Sequence, residues 1–305
     1  MVLRVLRACP GSAASVETWF FLSIAVALLW GLAGIFSKYS TPKIGVMRVA
    51  LLITIVEGIM YSTAFLIWHE KADIGVDDAL IAAGSCMVGI FGYLFFFESI
   101  MEGQVAIAGT ISAAYPALAV LGAVVILSET LTSIQLIGVV AIIAGIVALS
   151  YEPSPGSKTA MSRKTLIYAL AAFALWGFWS LTSKIAVDRV GPGNLFAFYA
   201  SSALIIPGLY VLLRRGSLNR EKTPNPARSA WILGAAGLAI NVGGAYAFSF
   251  ALETGSASLV VPISSAYPVV TIVLAIAVLK ERVHRLHLVP LALVVLGLIM
   301  IGITI

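Results

Sequence analysis

Ser112-Ala113-Ala114-Tyr115-Pro116 and Ser264-Ser265-Ala266-Tyr267-Pro268 are one phrase written twice, at an offset of 152 residues (264 minus 112). Both copies lie inside long apolar runs. Outward at the same offset, Glu129, Leu136 and Gly145 match Glu281, Leu288 and Gly297, while Gly92, Phe96 and Gly103 match Gly244, Phe248 and Gly255. Nearer the N-terminus the offset becomes 146 (176 minus 30), where Leu29-Trp30-Gly31 and Ser37-Lys38 pair with Leu175-Trp176-Gly177 and Ser183-Lys184. A longer loop after the seventh apolar run accounts for the six-residue difference. Chance matches of Ala and Leu are common in apolar sequence. Trp-Gly, Tyr-Pro, Glu and Lys recurring in one order are not, so the chain contains an internal repeat.

The 305 residues are 60% hydrophobic and 11% charged, with a mean hydropathy of +1.03. Soluble domains carry about 25% charged residues, so a water-soluble enzyme is excluded: it would lack a polar surface. Membrane-spanning helices need roughly 20 apolar residues, and ten such segments run near 19–37, 44–68, 79–98, 104–127, 132–151, 165–187, 193–213, 229–252, 256–279 and 285–304. The short alternating segments of a membrane β-barrel are absent. The expected fold is an all-α membrane protein of ten transmembrane helices, arranged as two inverted five-helix repeats, because an odd number of spans turns the second copy over. Such inverted repeats place a site near the bilayer midplane between the halves. The expected division is an N-terminal segment 1–18, a first repeat 19–152, a linker 153–164 rich in Pro, Gly and Ser, and a second repeat 165–305.

The net charge of +5 is scattered through loops, with no basic run interleaved with aromatics, so no nucleic-acid partner is expected. Fourteen Lys and Arg fall on one side of the ten segments and five on the other, which places the first set in the cytoplasm and both termini outside. Arg4 and Arg7 precede an apolar run long enough to be a retained span and not a cleaved leader. Of two cysteines, Cys9 and Cys86, the second is in an apolar segment, which argues against a disulfide, and two are too few soft ligands for a metal site. Nothing resembles a nucleotide cradle, a metal cluster or a nucleophile triad, and no cofactor is expected.

The run from Ala251-Leu252-Glu253-Thr254-Gly255 through Tyr267-Pro268 to Leu279-Lys280-Glu281-Arg282, and its twin from Glu102-Gly103 through Tyr115-Pro116 to Glu129, resemble the EamA family of the drug/metabolite transporter superfamily. The resemblance covers roughly residues 19 to 305. It implies ten helices in two inverted repeats and export of amino acids, metabolites or drugs; relatives exchange sugar phosphates and nucleotide sugars. Small multidrug-resistance relatives carry a membrane Glu where Trp30 and Trp176 stand here, so their exchange chemistry does not transfer.

Several residues are candidates for the pathway. A proline within a helix frees the carbonyl four residues back, here those of Ser112 and Ser264. Tyr115-Pro116 and Tyr267-Pro268 therefore read either as hinges lined by carbonyls and Tyr hydroxyls, or as static kinks satisfied by Ser hydroxyls. Trp30 and Trp176, each beside a glycine, suit stacking on a substrate or close helix packing. Tyr93, Asn241 and Tyr246 are further lining candidates. Lys38 and Lys184, read as ending the first and sixth helices, suit either headgroup snorkelling or contact with a substrate anion. Glu57 falls at the middle of its segment, where a carboxyl is costly; it reads as a proton carrier or as a neutral acid bonded to a neighbouring helix, and Glu98 is a second coupling candidate. Glu129 and Glu281 are expected to cap the fifth and tenth helices.

The resulting expectation is a non-enzymatic secondary transporter in the plasma or inner membrane, exporting amino acids or related compounds by alternating access. Exchange of organic anions such as sugar phosphates or nucleotide sugars is the alternative, and a membrane enzyme or scaffold finds no support. The expected partners are a small-molecule substrate, the lipid bilayer and protons as coupling ion, with the chain a monomer or weak dimer.

Overall fold

Side chains that are apolar around the whole circumference of a helix need an apolar surrounding on all sides, and the helices here carry Phe21, Leu28, Leu51, Ile59, Leu66, Val125, Leu204 and Leu296 on outward, exposed faces. The computed structural model describes residues 13–102, 111–149, 163–213, 226–279 and 287–304. These form eleven helices and no strand: α1 (Ala13–Ile44), α2 (Val46–Trp68), α3 (Val76–Glu102), α4 (Tyr115–Ile126), α5 (Ser133–Leu149), α6 (Arg163–Val190), α7 (Pro192–Leu213), α8 (Arg228–Thr254), α9 (Ala257–Ser264), α10 (Tyr267–Leu279) and α11 (Leu288–Gly302). Seven segments are long and apolar enough to cross a membrane: Thr18–Thr41, Met47–Trp68, Val76–Phe96, Arg163–Val190, Pro192–Leu213, Arg228–Thr254 and Ala257–Leu274. The shorter apolar helices Ile111–Ile126, Ser133–Leu149 and Leu288–Gly302 fall at the fourth, fifth and tenth apolar runs of the sequence.

The helices pair across the repeats, and the main pairings have counterparts when the repeats are exchanged. α1 packs on α8 as α6 packs on α3; α1 packs on α10 as α6 packs on α4. α2 packs on α7 and α5 on α11, each pairing being its own counterpart. The single-residue links repeat as well. Gly45 joins α1 to α2 at φ 87° and Gly191 joins α6 to α7 at φ 79°, again 146 residues apart (191 minus 45). A positive φ is cheap only without a Cβ, so this glycine match is a turn requirement that the sequence reading did not pick out.

Three expectations are corrected. Tyr115-Pro116 and Tyr267-Pro268 are not mid-helix. The helix stops at Ala114 and at Ser265-Ala266, and each Tyr-Pro opens a new helix, where proline's missing N–H leaves no bond unmade. Both breaks are built alike: Ala114 N–H donates to Ile111 O (3.3 Å) as Ala266 N–H does to Ile263 O (3.1 Å), and Ala117 and Val269 each donate to the residue three back at 3.0 Å. Second, Lys38 and Lys184 do not end their helices, which continue six residues to Ile44 and Val190.

Third, Glu129 caps a helix of the other repeat. Its two carboxylate oxygens accept the backbone N–H groups of Ala257 and Ser258, both at 2.8 Å, at the start of α9. The N-terminus of α5 is closed instead by Thr132 and Gln135, whose backbone N–H groups each bond the other's side chain at 3.0 and 3.3 Å. This is the reciprocal T-x-x-Q capping pattern, legible in the sequence as Thr132-Ser133-Ile134-Gln135. Glu281 lies outside the described residues.

Candidate functional site

Bilayer-spanning helices gain little by burying apolar surface against one another, since lipid is equally apolar; small residues that allow close approach hold them together. Trp30 and Trp176 are set into the bundle in this way. A Cβ on Gly244 would stand 2.5 Å from the Trp30 ring, and a Cβ on Gly92 the same distance from the Trp176 ring. Each indole thus lies over a glycine of the opposite repeat. The glycine beside each indole serves a different neighbour: Gly31 faces Val270 and Gly177 faces Leu118, a pair again 152 apart (270 minus 118).

Aromatic contacts radiate from the two indoles. Trp30 lies 5.5 Å from Phe248, 6.3 Å from Tyr267 and 6.4 Å from Trp179, centroid to centroid. Trp176 lies 5.2 Å from Phe96, 5.3 Å from Tyr93 and 5.9 Å from Tyr115. Asn241, halfway along α8, joins the two groups: its backbone carbonyl accepts Trp30 Nε1–H (3.2 Å) and its Oδ1 accepts the Tyr93 hydroxyl (3.3 Å). Tyr93 is touched by α6 through Trp176 and by α8 through Asn241, yet it remains 37% exposed. Tyr93 thus keeps accessible surface while touching helices of the other repeat.

Glu57 stands halfway along α2 and is 8% exposed. Among the described residues it makes no hydrogen bond or ion pair. Its carboxyl is within electrostatic reach of Tyr61, Tyr93, Tyr199 and Tyr246, which come from α2, α3, α7 and α8. Tyr61 and Tyr199 stack at 5.0 Å with their planes 18° apart, and Tyr246 meets Tyr61 edge-on at 5.7 Å. The Tyr199 hydroxyl accepts Trp179 Nε1–H at 3.0 Å.

Glu57, Trp30, Tyr93, Trp176, Asn241 and Tyr246, marked in the sequence, therefore come together with the breaks at Tyr115 and Tyr267. Ser112 and Ser264 are buried beside those breaks, and the Ser264 hydroxyl has no hydrogen-bond partner among the described residues. Pro116 and Pro268 occupy the first turns of α4 and α10. The Tyr115 hydroxyl and Ser265 Oγ bond at 2.6 Å across the repeats. Other candidates lie elsewhere. Lys184 Nζ donates to Asp188 Oδ1 and to Leu252 O, both at 2.8 Å, placing its charge at the C-terminal turn of α8, where the helix dipole favours a cation. Glu98 accepts the Tyr210 hydroxyl at 2.9 Å, between α3 and α7. The Lys38 side chain is outside the described residues.

Sequence reasoning missed Tyr61, Trp179, Tyr199 and Ser265. Tyr61 follows Glu57 by one helical turn and Trp179 follows Trp176 by three residues, so helical spacing could have found both. Tyr199 carried no local signal; the packing of α2 on α7 and the bond from Trp179 bring it in.

The family model for EamA-like transporters matches residues 17–151 and 163–303, one match per repeat. A curated relative, an uncharacterized protein of Methanocaldococcus jannaschii, is 28% identical over 136 residues, which make up 44% of this chain and 98% of that protein. A relative of roughly single-repeat length thus resembles part of this double one. A solved crystal structure superposes with a TM-score of 0.75 at 20% identity, covering 94% of this chain and 97% of its own, a likeness of fold. Two matched repeats, seven segments able to cross a membrane and pairings that survive exchange of the repeats agree: this is a multi-pass membrane protein, and the chain belongs to the EamA-like transporter family.

Proposed function

We propose that the protein is a secondary transporter that exports amino acids or related small metabolites from the cell. Its ten apolar segments are read as ten spans in two inverted five-helix repeats, which rock about the space faced by Tyr93. The observation that carries this reading is the accessible surface of Tyr93 beside α6 and α8, together with the mid-helix Glu57 carboxyl, which has no hydrogen bond or ion pair among the described residues. Polar groups at mid-membrane are tolerated where they face a wet cavity or one another, and inverted-repeat transporters place their substrate there. The matching breaks before Tyr115 and Tyr267 supply flexible points in both repeats.

Proton coupling is assigned to Glu57 and not to Glu98, whose carboxylate is already held by Tyr210. The plasma or inner membrane is the proposed location. Counterflow in proteoliposomes tests the transport reading: vesicles preloaded with unlabelled amino acids should accumulate one labelled member of the mixture from outside. If folded protein moves no metabolite under any gradient, the reading is wrong.

A further inference from the structure

We infer that the group recognised in the midplane space is a cationic amine, held by the Glu57 carboxylate and the rings of Tyr93 and Tyr246. This rests on the transport reading above and names the substrate class of that site.

The first observation is the state of the acid. Glu57 is more than nine-tenths buried, halfway along its helix, and has neither hydrogen bond nor ion pair among the described residues. A buried carboxylate without a partner is strongly destabilising, and a charge-complementary group removes most of that penalty. Among the described residues no lysine or arginine forms an ion pair with Glu57; Lys184 is engaged with Asp188 and Leu252 at the end of α8, and Arg189 with Asp78 at 2.8 Å. A positively charged ligand would supply such a pair.

The second observation is the aromatic surround. Tyr61, one helical turn along α2 from Glu57, stacks on Tyr199 of α7 at 5.0 Å and meets Tyr246 of α8 edge-on at 5.7 Å, and Tyr93 of α3 is within electrostatic reach of the same carboxyl. Tyr61 and Tyr199 are buried and stacked as a back wall, whereas Tyr93 and Tyr246 keep accessible surface. Two of the hydroxyls are engaged elsewhere: that of Tyr93 is given to Asn241, and that of Tyr199 receives Trp179 Nε1–H. Aromatic faces around one carboxylate attract an ammonium through the ring quadrupole. A substrate carboxylate would meet repulsion from Glu57, which no cation pairs with among the described residues, so amines should bind ahead of zwitterionic amino acids.

Equilibrium dialysis of the purified full chain with tritiated phenethylamine tests this, using phenylalanine, 2-phenylethanol and phenylacetate as competitors. The amine should bind, phenylalanine should compete about tenfold more weakly, and the neutral and anionic analogues more weakly still. Glu57→Gln should weaken amine binding by about tenfold or more. Should that variant fail to fold, Tyr246→Phe and Tyr246→Leu decide the matter: the first keeps the ring and binding within about twofold, the second loses about tenfold. Equal competition by 2-phenylethanol, unchanged binding in folded Glu57→Gln, or no amine binding would overturn the inference. The two readings fail separately: counterflow without preference for positive charge removes only the cation site, whereas amine binding without counterflow of any compound removes only transport.

Discussion

Trp30 over Gly244 and Trp176 over Gly92 are twins, as are the helix breaks before Tyr115 and Tyr267. Glu57 has no twin, nor have the contacts around it. Asn241, which accepts Tyr93 and Trp30, aligns with Gly89 (241 minus 152), and Tyr246 aligns with Leu94. Ser265, which bonds Tyr115, aligns with Ala113, so Tyr267 meets no hydroxyl at the matching place. Repeat symmetry is kept at the two indole seats and the two helix breaks, and is lost where Asn241, Tyr246 and Ser265 make their contacts. The two classes of position have different physical duties: one sets the distance between helices, the other sets what the interior can hold.

This contrast can be broken most sharply at the acid. Glu57→Gln should abolish the response of exchange to an imposed pH gradient, while counterflow at saturating substrate persists; an unchanged response, followed in proteoliposomes, would move coupling elsewhere. At the twin positions, Gly92→Val and Gly244→Val should each destabilise by roughly 3 kcal/mol, because a side chain there overlaps an indole that cannot swing aside. Thermal unfolding in detergent should give similar losses for both, and a loss at one alone would refute the equivalence of the two indole seats. Glu129→Ala should cost about 2 kcal/mol by stripping two charge-assisted bonds from the start of α9, more than the ~1 kcal/mol expected of Thr132→Ala at α5. The smallest effect separates the two tyrosines. Tyr115→Phe should lose about 1 kcal/mol with its bond to Ser265, and Tyr267→Phe less.

How far the sequence could be read follows the same division. Trp-Gly, Tyr-Pro and the apolar runs were legible because each rests on local chemistry or on a match within the chain. Glu57 was legible because its place in an apolar run sets its depth. The partner of Glu129 was not, since capping α9 depends on how the repeats meet and not on the helix that follows in sequence. The same is true of the indole seats, where the glycine next in sequence to each Trp was the obvious packing partner and the glycine of the other repeat is the actual one. Tyr199 joins the site through tertiary contacts, the packing of α2 against α7 and the bond from Trp179.

The proposed internal space between the repeats is tested most directly by thiol labelling. In a chain carrying Cys9→Ser and Cys86→Ala, Tyr93→Cys and Leu66→Cys would each introduce one thiol, the first facing the proposed space and the second on an outward face 70% exposed. A water-soluble maleimide applied to protein in lipid should label position 93 and leave position 66 unreacted within the bilayer. Labelling at 66 with none at 93 would mean that no aqueous path reaches the midplane, and the account would fail there.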